Sequence, residues 1–286
     1  MTATLTTPEP TAPIRVLDDG RPGLRTLVSD TLVYTRRHIE HIRQIPEKLL
    51  DVTIQPLMFV LLFAYVFGGA INTGAGSYRE FLIGGILIQS LAFGMMGPAT
   101  SIADDLTEGV VDRFRTLPAA RSAYLLGHYM AELAGLVLSI AILSGTGLLV
   151  GWRIHSGVGH ALATYAFLLV FSSAIIWLGT WLGMLVRSSD AVMGLGFTVV
   201  FPLTFLSNAF VPIQTMPSWL QYVASWNPIS VIVAAVRDGF GNPQAPLVKH
   251  AWALEHATAM AWVYALALLA IAVPLALHRY RARTTG

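Results

Sequence analysis

The chain has 286 residues, 55% of them hydrophobic and only 12% charged, about half the roughly 25% charge of an ordinary soluble domain. That composition excludes a soluble globular fold and points to one polytopic membrane domain, because a span needs only about 20 apolar residues. The formal net charge is +2, so the placement of Lys and Arg says more than their sum, and the lack of cysteine excludes disulfides, thiolate catalysis and Cys-ligated zinc.

Residues 1–23 read as a disordered cytoplasmic tail. Met1–Pro13 is rich in Thr and Pro and has no apolar core of the kind a cleaved signal peptide needs. In the next segment Leu24, Leu27, Val28, Leu32, Ile39, Ile42, Ile45 and Leu49 recur mostly at steps of three or four, with Arg25, Arg36, Arg37, Glu40, Arg43 and Glu47 between them. This pattern predicts an amphipathic helix lying on the inner membrane surface, bent or ended at Pro46. Uncharged apolar runs then predict six transmembrane helices: Val52–Ala70, Phe81–Thr100, Ala123–Val150, Val158–Val186, Ala191–Val211 and Ala257–Leu277. Between the last two, Pro212, Pro217, Asn227 and Pro228 punctuate a stretch that also holds Phe210, Trp219, Leu220, Tyr222 and Trp226. It predicts an outer re-entrant pair of short helices, Ser218–Ser225 and Ile229–Gly239, anchored at the interface. The expected fold is all-α, with six transmembrane helices, the N-terminal surface helix and the re-entrant pair.

The 18 basic residues all lie outside these spans. With the N-terminus in the cytoplasm, Arg79, Arg153, Arg237 and Lys249 fall in outer loops and the other fourteen of the 18 fall inside, so both termini are expected in the cytoplasm.

Neither lysine sits in a phosphate-binding loop, since Lys48 follows Glu47 and Lys249 follows Val248. ATP hydrolysis would therefore need a separate polypeptide. There is also no His-Glu-x-x-His pair or Gly-x-Ser-x-Gly elbow, so the chain is expected to be no enzyme, with no catalytic residue and no metal site. His38 and His41 read as solvated polar residues. Glu132 is the one acidic residue within a span, and His128 lies four positions before it; the two read as a structural intramembrane pair. Gln55, Gln89 and Asn208 read as interhelical hydrogen-bonding residues, and Gly147/Gly151 and Gly179/Gly183 as weak close-packing signals. Phe59, Phe63, Phe197, Phe201 and Phe205, with Asn208, are candidates for a substrate path or a dimer interface.

The loop from Asp104 to Arg121 mixes both charge signs with Val110, Val111, Phe114 and Leu117, a composition suited to docking on another protein. Within it, Glu-Gly-Val-Val-Asp-Arg-Phe-Arg-Thr-Leu-Pro at 108–118 resembles the cytoplasmic-loop signature of type-2 ABC exporter permeases of the daunorubicin-resistance type. Four further stretches agree in order: Pro46-Glu47 with Pro56; Tyr78 to Gln89; Phe201 to Pro212 with Met216-Pro217; and Asn227-Pro228 leading to Arg237. Gly85 departs from the pattern, which often has proline there, and predicts a straighter second span.

The resemblance covers about Leu24 to Arg283 and implies that 24–283 is one exporter transmembrane domain in the cell membrane. It implies a second permease copy and cytoplasmic ABC ATPase subunits that bind ATP and Mg, with no cofactor in this chain. It also implies that the surface helix and the loop couple to the ATPase, through Arg36, Arg37, Arg43, Glu47, Glu108, Asp112, Arg113, Phe114 and Arg115. The expected cargo is a hydrophobic or amphipathic compound, an antibiotic or a lipid, because the spans offer aromatic and aliphatic surface with no row of buried charge. Membrane lipids are expected partners and nucleic acid is not. Two rival readings are export of a lipid-linked polysaccharide and a proton-coupled transporter resting on Glu132.

Overall fold

The computed structural model describes residues 54, 57–68, 76–107, 121–186, 188–244, 246 and 251–285. Every regular element among them is helical: α1 (Leu57–Val66), α2 (Tyr78–Phe93), α3 (Met96–Thr107), α4 (Arg121–Val150), α5 (Val158–Gly183), α6 (Ser189–Phe205), α7 (Ser218–Trp226), α8 (Pro228–Phe240), α9 (Trp252–Glu255) and α10 (Ala257–Thr285). The tail, the surface helix and the 108–118 loop lie outside the described residues, so the nine coupling residues named above do too.

Among the described residues, four helices are long and apolar enough to cross a membrane, or five if the bent α7–α8 pair counts as one span; α1 and α6 are shorter apolar helices. The second of the predicted runs is longer than expected, a thirty-residue Tyr78–Thr107. It is broken at Gly94–Met95, between α2 and α3. Pro98 accounts for the break, because its ring collides with a helical carbonyl four residues back and it has no N–H to offer. The fifth run is shorter than expected. Helix α6 starts on Ser188, whose Oγ accepts from the Ala191 N–H at 3.3 Å, but it stops at Phe205 and the chain turns before Val211.

Helices α7 and α8 meet at 71°, with every bound within one residue of its predicted place. Asn227 makes the corner: its Oδ1 accepts from the Ile229 N–H at 2.9 Å, and Pro228 takes the first helical position, where a missing N–H costs nothing. Gly241 closes α8 at φ 68°, and Asn242 N–H reaches back to the Arg237 carbonyl at 2.8 Å.

Helix α5 is the hub, packed on α10, α3, α4 and α8. Its Gly179 and Gly183 carry the α2–α3 break. A Cβ at either would stand 2.3 Å from a carbonyl oxygen, of Met95 and Ala99 respectively, so this glycine pair is a true backbone contact. The Gly147/Gly151 pair is different, since Gly151, at φ 108°, ends α4. On α10 the buried Ala257, Ala261, Ala265, Ala272 and Ala276 form a stripe of small residues along the helix. Ser172 and Thr180 on α5 bond back to the carbonyls four residues before them at 2.8 and 2.9 Å, so these hydroxyls need no partner helix. The outside of the bundle is apolar: Leu149, Val158, Leu162 and Ile271 are all more than half exposed, a surface suited to lipid and not to water.

Two ends can be told apart. At one, Tyr78 of α2, the end of α6, the loop 151–157 and α8 converge. At the other, α3 bonds to Ser189 and Tyr124 through Asp104 and Asp105.

Candidate functional site

The five predicted phenylalanines form a line. Phe59 stacks on Phe63, with centroids 5.9 Å apart, and Phe63 stacks on Phe210 at 4.7 Å. Phe210 meets Phe205 at 5.1 Å, and Phe205 stacks on Phe201 at 4.2 Å. Phe197 lies further along α6 and packs edge-on against Phe93 of α2 at 6.0 Å. Phe197 and Phe201 are exposed, as are their neighbours Met193, Leu195, Val199 and Leu203 on α6 and Met58, Leu61 and Leu62 on α1. An uncharged face thus runs along α1 and α6, with its rings held in place at one end by the buried Phe210. Its α1 side contains a π-helical stretch, Leu62–Phe67, and bulges of this kind are frequent at functional sites.

That buried end is a collar of side chains around irregular backbone. Because α6 stops inside the bundle, its last carbonyls and the turn after it need donors from elsewhere. Asn227 Nδ2 donates to the Leu203 and Leu206 carbonyls at 2.7 and 3.0 Å. Arg237 Nη2 donates to the carbonyls of Asn208 and Ala209, both at 2.9 Å, and Arg237 Nε donates to Phe81 of α2 at 2.7 Å. Tyr78 Oη supplies the Phe210 carbonyl at 3.1 Å, and the Asn208 N–H donates to Ser230 Oγ at 3.1 Å. Asn208 therefore enters this network through its backbone. Its side-chain Oδ1 is buried with no hydrogen-bond partner.

Arg237 is the centre of the collar and is 1% exposed. The sequence counted it with the basic residues of the outer loops, within the expected re-entrant helix Ile229–Gly239; the structure buries it in the protein interior. Burying a guanidinium costs several kcal/mol unless its donors are matched. Here they are matched by carbonyl dipoles, and the Phe81 ring lies 3.4 Å from the guanidinium carbon, a contact worth about 2 kcal/mol when desolvated. Two glycines make room for it. A Cβ at Gly84 would stand 2.9 Å from Arg237 Cγ, and one at Gly85 only 1.9 Å from the Ala209 carbonyl oxygen. Helix α2 runs unbroken through Gly85. Gly85 is also the residue that lets the turn after α6 touch α2.

Sequence reading missed Tyr78, Ser230 and the burial of Arg237. One signal was present: Arg237 sits in an apolar stretch that opens on an Asn-Pro cap, an odd place for a charge meant for solvent.

At the other end Tyr124 stacks on His128 at 6.5 Å and on Tyr280 at 6.2 Å, and its hydroxyl bonds to Asp105. His128 is 3% exposed. Glu132, half-buried one turn further along α4, lies against α3, its Oε2 3.1 Å from where a Cβ of Gly97 would be. Gln89 is buried on α2, in the helix face between Gly85 and Phe93. Among the described residues no cluster of three or more His, Cys, Asp or Glu is arranged to hold a metal.

The family model described as ABC-2 type transporter matches residues 30–240. Over 98% of both chains, the protein is 32% identical to the daunorubicin resistance ABC transporter permease protein DrrB1 of Streptomyces coeruleorubidus. It is 23% identical, over 96% of both chains, to the probable doxorubicin resistance ABC transporter permease protein DrrC of Mycobacterium tuberculosis. It is 24% identical to the inner membrane transport permease YadH of Escherichia coli, over 70% of this chain and 79% of that one. With the apolar bundle and a match across most of its length, the chain belongs to the ABC-2 type transporter family as an integral membrane permease.

Proposed function

We propose that this chain is the permease of an ATP-driven exporter that moves a hydrophobic or amphipathic compound outward. The observation that carries this reading is the phenylalanine line on the uncharged α1–α6 face, ending at the collar. Flat rings with few polar groups nearby suit an apolar or aromatic cargo, and a relative is named for daunorubicin resistance. The excess of basic residues near the termini and in the 108–118 loop supports an outside location for the Arg237 end, with the α7–α8 pair re-entrant from that side. ATP is hydrolysed by separate cytoplasmic subunits, docked on the surface helix and on Glu108 to Arg115. A second permease copy covers part of the α1–α6 face.

The test is uptake of daunorubicin into inverted vesicles holding the chain with its ABC ATPase. ATP-dependent uptake is expected, and Phe201→Ala with Phe205→Ala should lower it at least tenfold while ATP hydrolysis stays within twofold. Uptake at the wild-type rate in that double variant would remove the aromatic path. Asp112→Ala and Arg113→Ala should weaken ATPase binding in a pull-down, and unchanged binding would free the loop of this role. A cysteine at Ser218 should be labelled from outside the cell; labelling only from the cytoplasm would invert the topology.

A further inference from the structure

We infer that Arg237 is a positioning residue for export, one that makes the end of α6, the α7–α8 pair and the first turns of α2 move as a single body. The inference rests on the exporter reading above.

The geometry is a clamp and not a surface contact. One side chain joins segments 156 and 29 residues distant in sequence through Phe81 and Asn208, and Asn227 holds α6 from the opposite end of the same helix α8. Its acceptors are backbone carbonyls. They have no proton to gain in the physiological range and cannot swing away on a side chain, as a carboxylate partner can. The clamp therefore has no titratable acceptor, and it transmits motion without flexing. Past Arg237 the same helices lose this kind of fastening. The α2–α3 break at Gly94–Met95 is held on α5 by bare backbone against glycine, and α1 has a π-helical stretch that includes Phe63. A swing of one half of the bundle against the other is easiest at these places, with the clamped collar carried whole. The phenylalanine line passes through Phe210, which joins the α1 rings to the α6 rings and whose carbonyl the collar also holds, so the junction of the path moves with the clamp.

The chain lacks cysteine, so spin-label pairs can be placed in the full-length protein with its ATPase, diluted with unlabelled chain. Ser77 and Tyr222, both exposed, report across the clamp; Ser77 and Thr107 report across the α2–α3 break. Between the nucleotide-free and the ATP–vanadate-trapped complex, the first distance should stay within its width and the second should shift. In Arg237→Met and Arg237→Lys the first distribution should at least double in width, and daunorubicin moved per ATP hydrolysed should fall at least tenfold, with hydrolysis within twofold. A residue that merely supports the fold would lower the amount of complex and leave that ratio alone, and this result would overturn the inference. So would a first distance that shifts in the unsubstituted chain. Should the Arg237 variants not be recovered, Tyr78→Phe removes one bond of the collar and should broaden the first distance by a lesser amount; no broadening there overturns the inference as well. Failure of the unsubstituted complex to move daunorubicin counts against the proposed cargo, and the two distances still decide the clamp.

Discussion

The two ends of the bundle solve the same problem differently. At the Arg237 end, the loose backbone after α6 is met by side chains of Asn227, Ser230, Arg237 and Tyr78, and nearly all of these groups are buried. At the Asp104 end, helix junctions rest on stacked rings and on hydroxyl-to-carboxylate bonds, Ser189 to Asp104 and Tyr124 to Asp105, which are exposed or only partly buried. A buried carbonyl that loses its donor costs about 1–3 kcal/mol, whereas a bond at the surface is exchanged for water at little cost. The first end is thus built to keep one arrangement, and the second can trade partners. Under the proposed topology, that difference suits a permease whose cytoplasmic side answers to an ATPase.

Substitutions sharpen the contrast. The largest effect is expected from Gly85→Val, which drives side-chain atoms into the Ala209 carbonyl and should remove most of the folded protein from the membrane; Gly135→Ala on α4, where a Cβ meets nothing within 4 Å, is the control and should be neutral or slightly stabilising. Fluorescence-detected size-exclusion of detergent extracts reads both, and a normal Gly85→Val profile would mean that α6 is not packed on α2 as described.

Next is Asn227→Ala. It removes a helix cap, worth about 1 kcal/mol, and two hydrogen bonds to partly buried carbonyls, at about 0.5–1.5 kcal/mol each. Ser188→Ala takes away the comparable cap of α6 at the other end and should cost about 1 kcal/mol or less. Thermal melting in one detergent should rank them in that order, and equal shifts would erase the distinction between the ends.

Glu132 comes third. Glu132→Gln should retain most folded protein and most transport, while Glu132→Leu lowers the amount of folded protein by putting an apolar group where a polar one is accommodated. Transport lost in Gln and restored by Asp would instead show the carboxylate itself at work. The smallest effect is expected for Tyr124→Phe, which keeps the stack on Tyr280 and gives up only the bond to Asp105, for about 1 kcal/mol or less; Tyr78→Phe, its counterpart in the collar, should melt lower than Tyr124→Phe.

Much of this architecture was legible in the residues. Apolar runs placed the starts of α2, α4, α5, α6 and α10 within three positions, because a span is defined by its composition, but they missed the ends of α3, α6 and α10 by six to eight. Asn227-Pro228 announced the corner between α7 and α8 because a cap followed by proline has one good use. The phenylalanines at 197, 201 and 205 share a helix face by spacing alone. The early end of α6 was not legible. Residues 206–211 are as apolar as those before them, and what stops the helix is the supply of donors from Asn227, Arg237 and Tyr78, which are distant in sequence.

The sequence by itself determined an all-helical membrane protein, since uncharged length and helix caps are local properties, and its motifs carried the resemblance to a permease family. Only the tertiary structure decided that Arg237 is an interior clamp and that Gly85 is a contact point. Burial and hydrogen-bond satisfaction belong to neighbours brought together by folding, and no count of charges or period of apolar residues encodes which carbonyl a guanidinium will find.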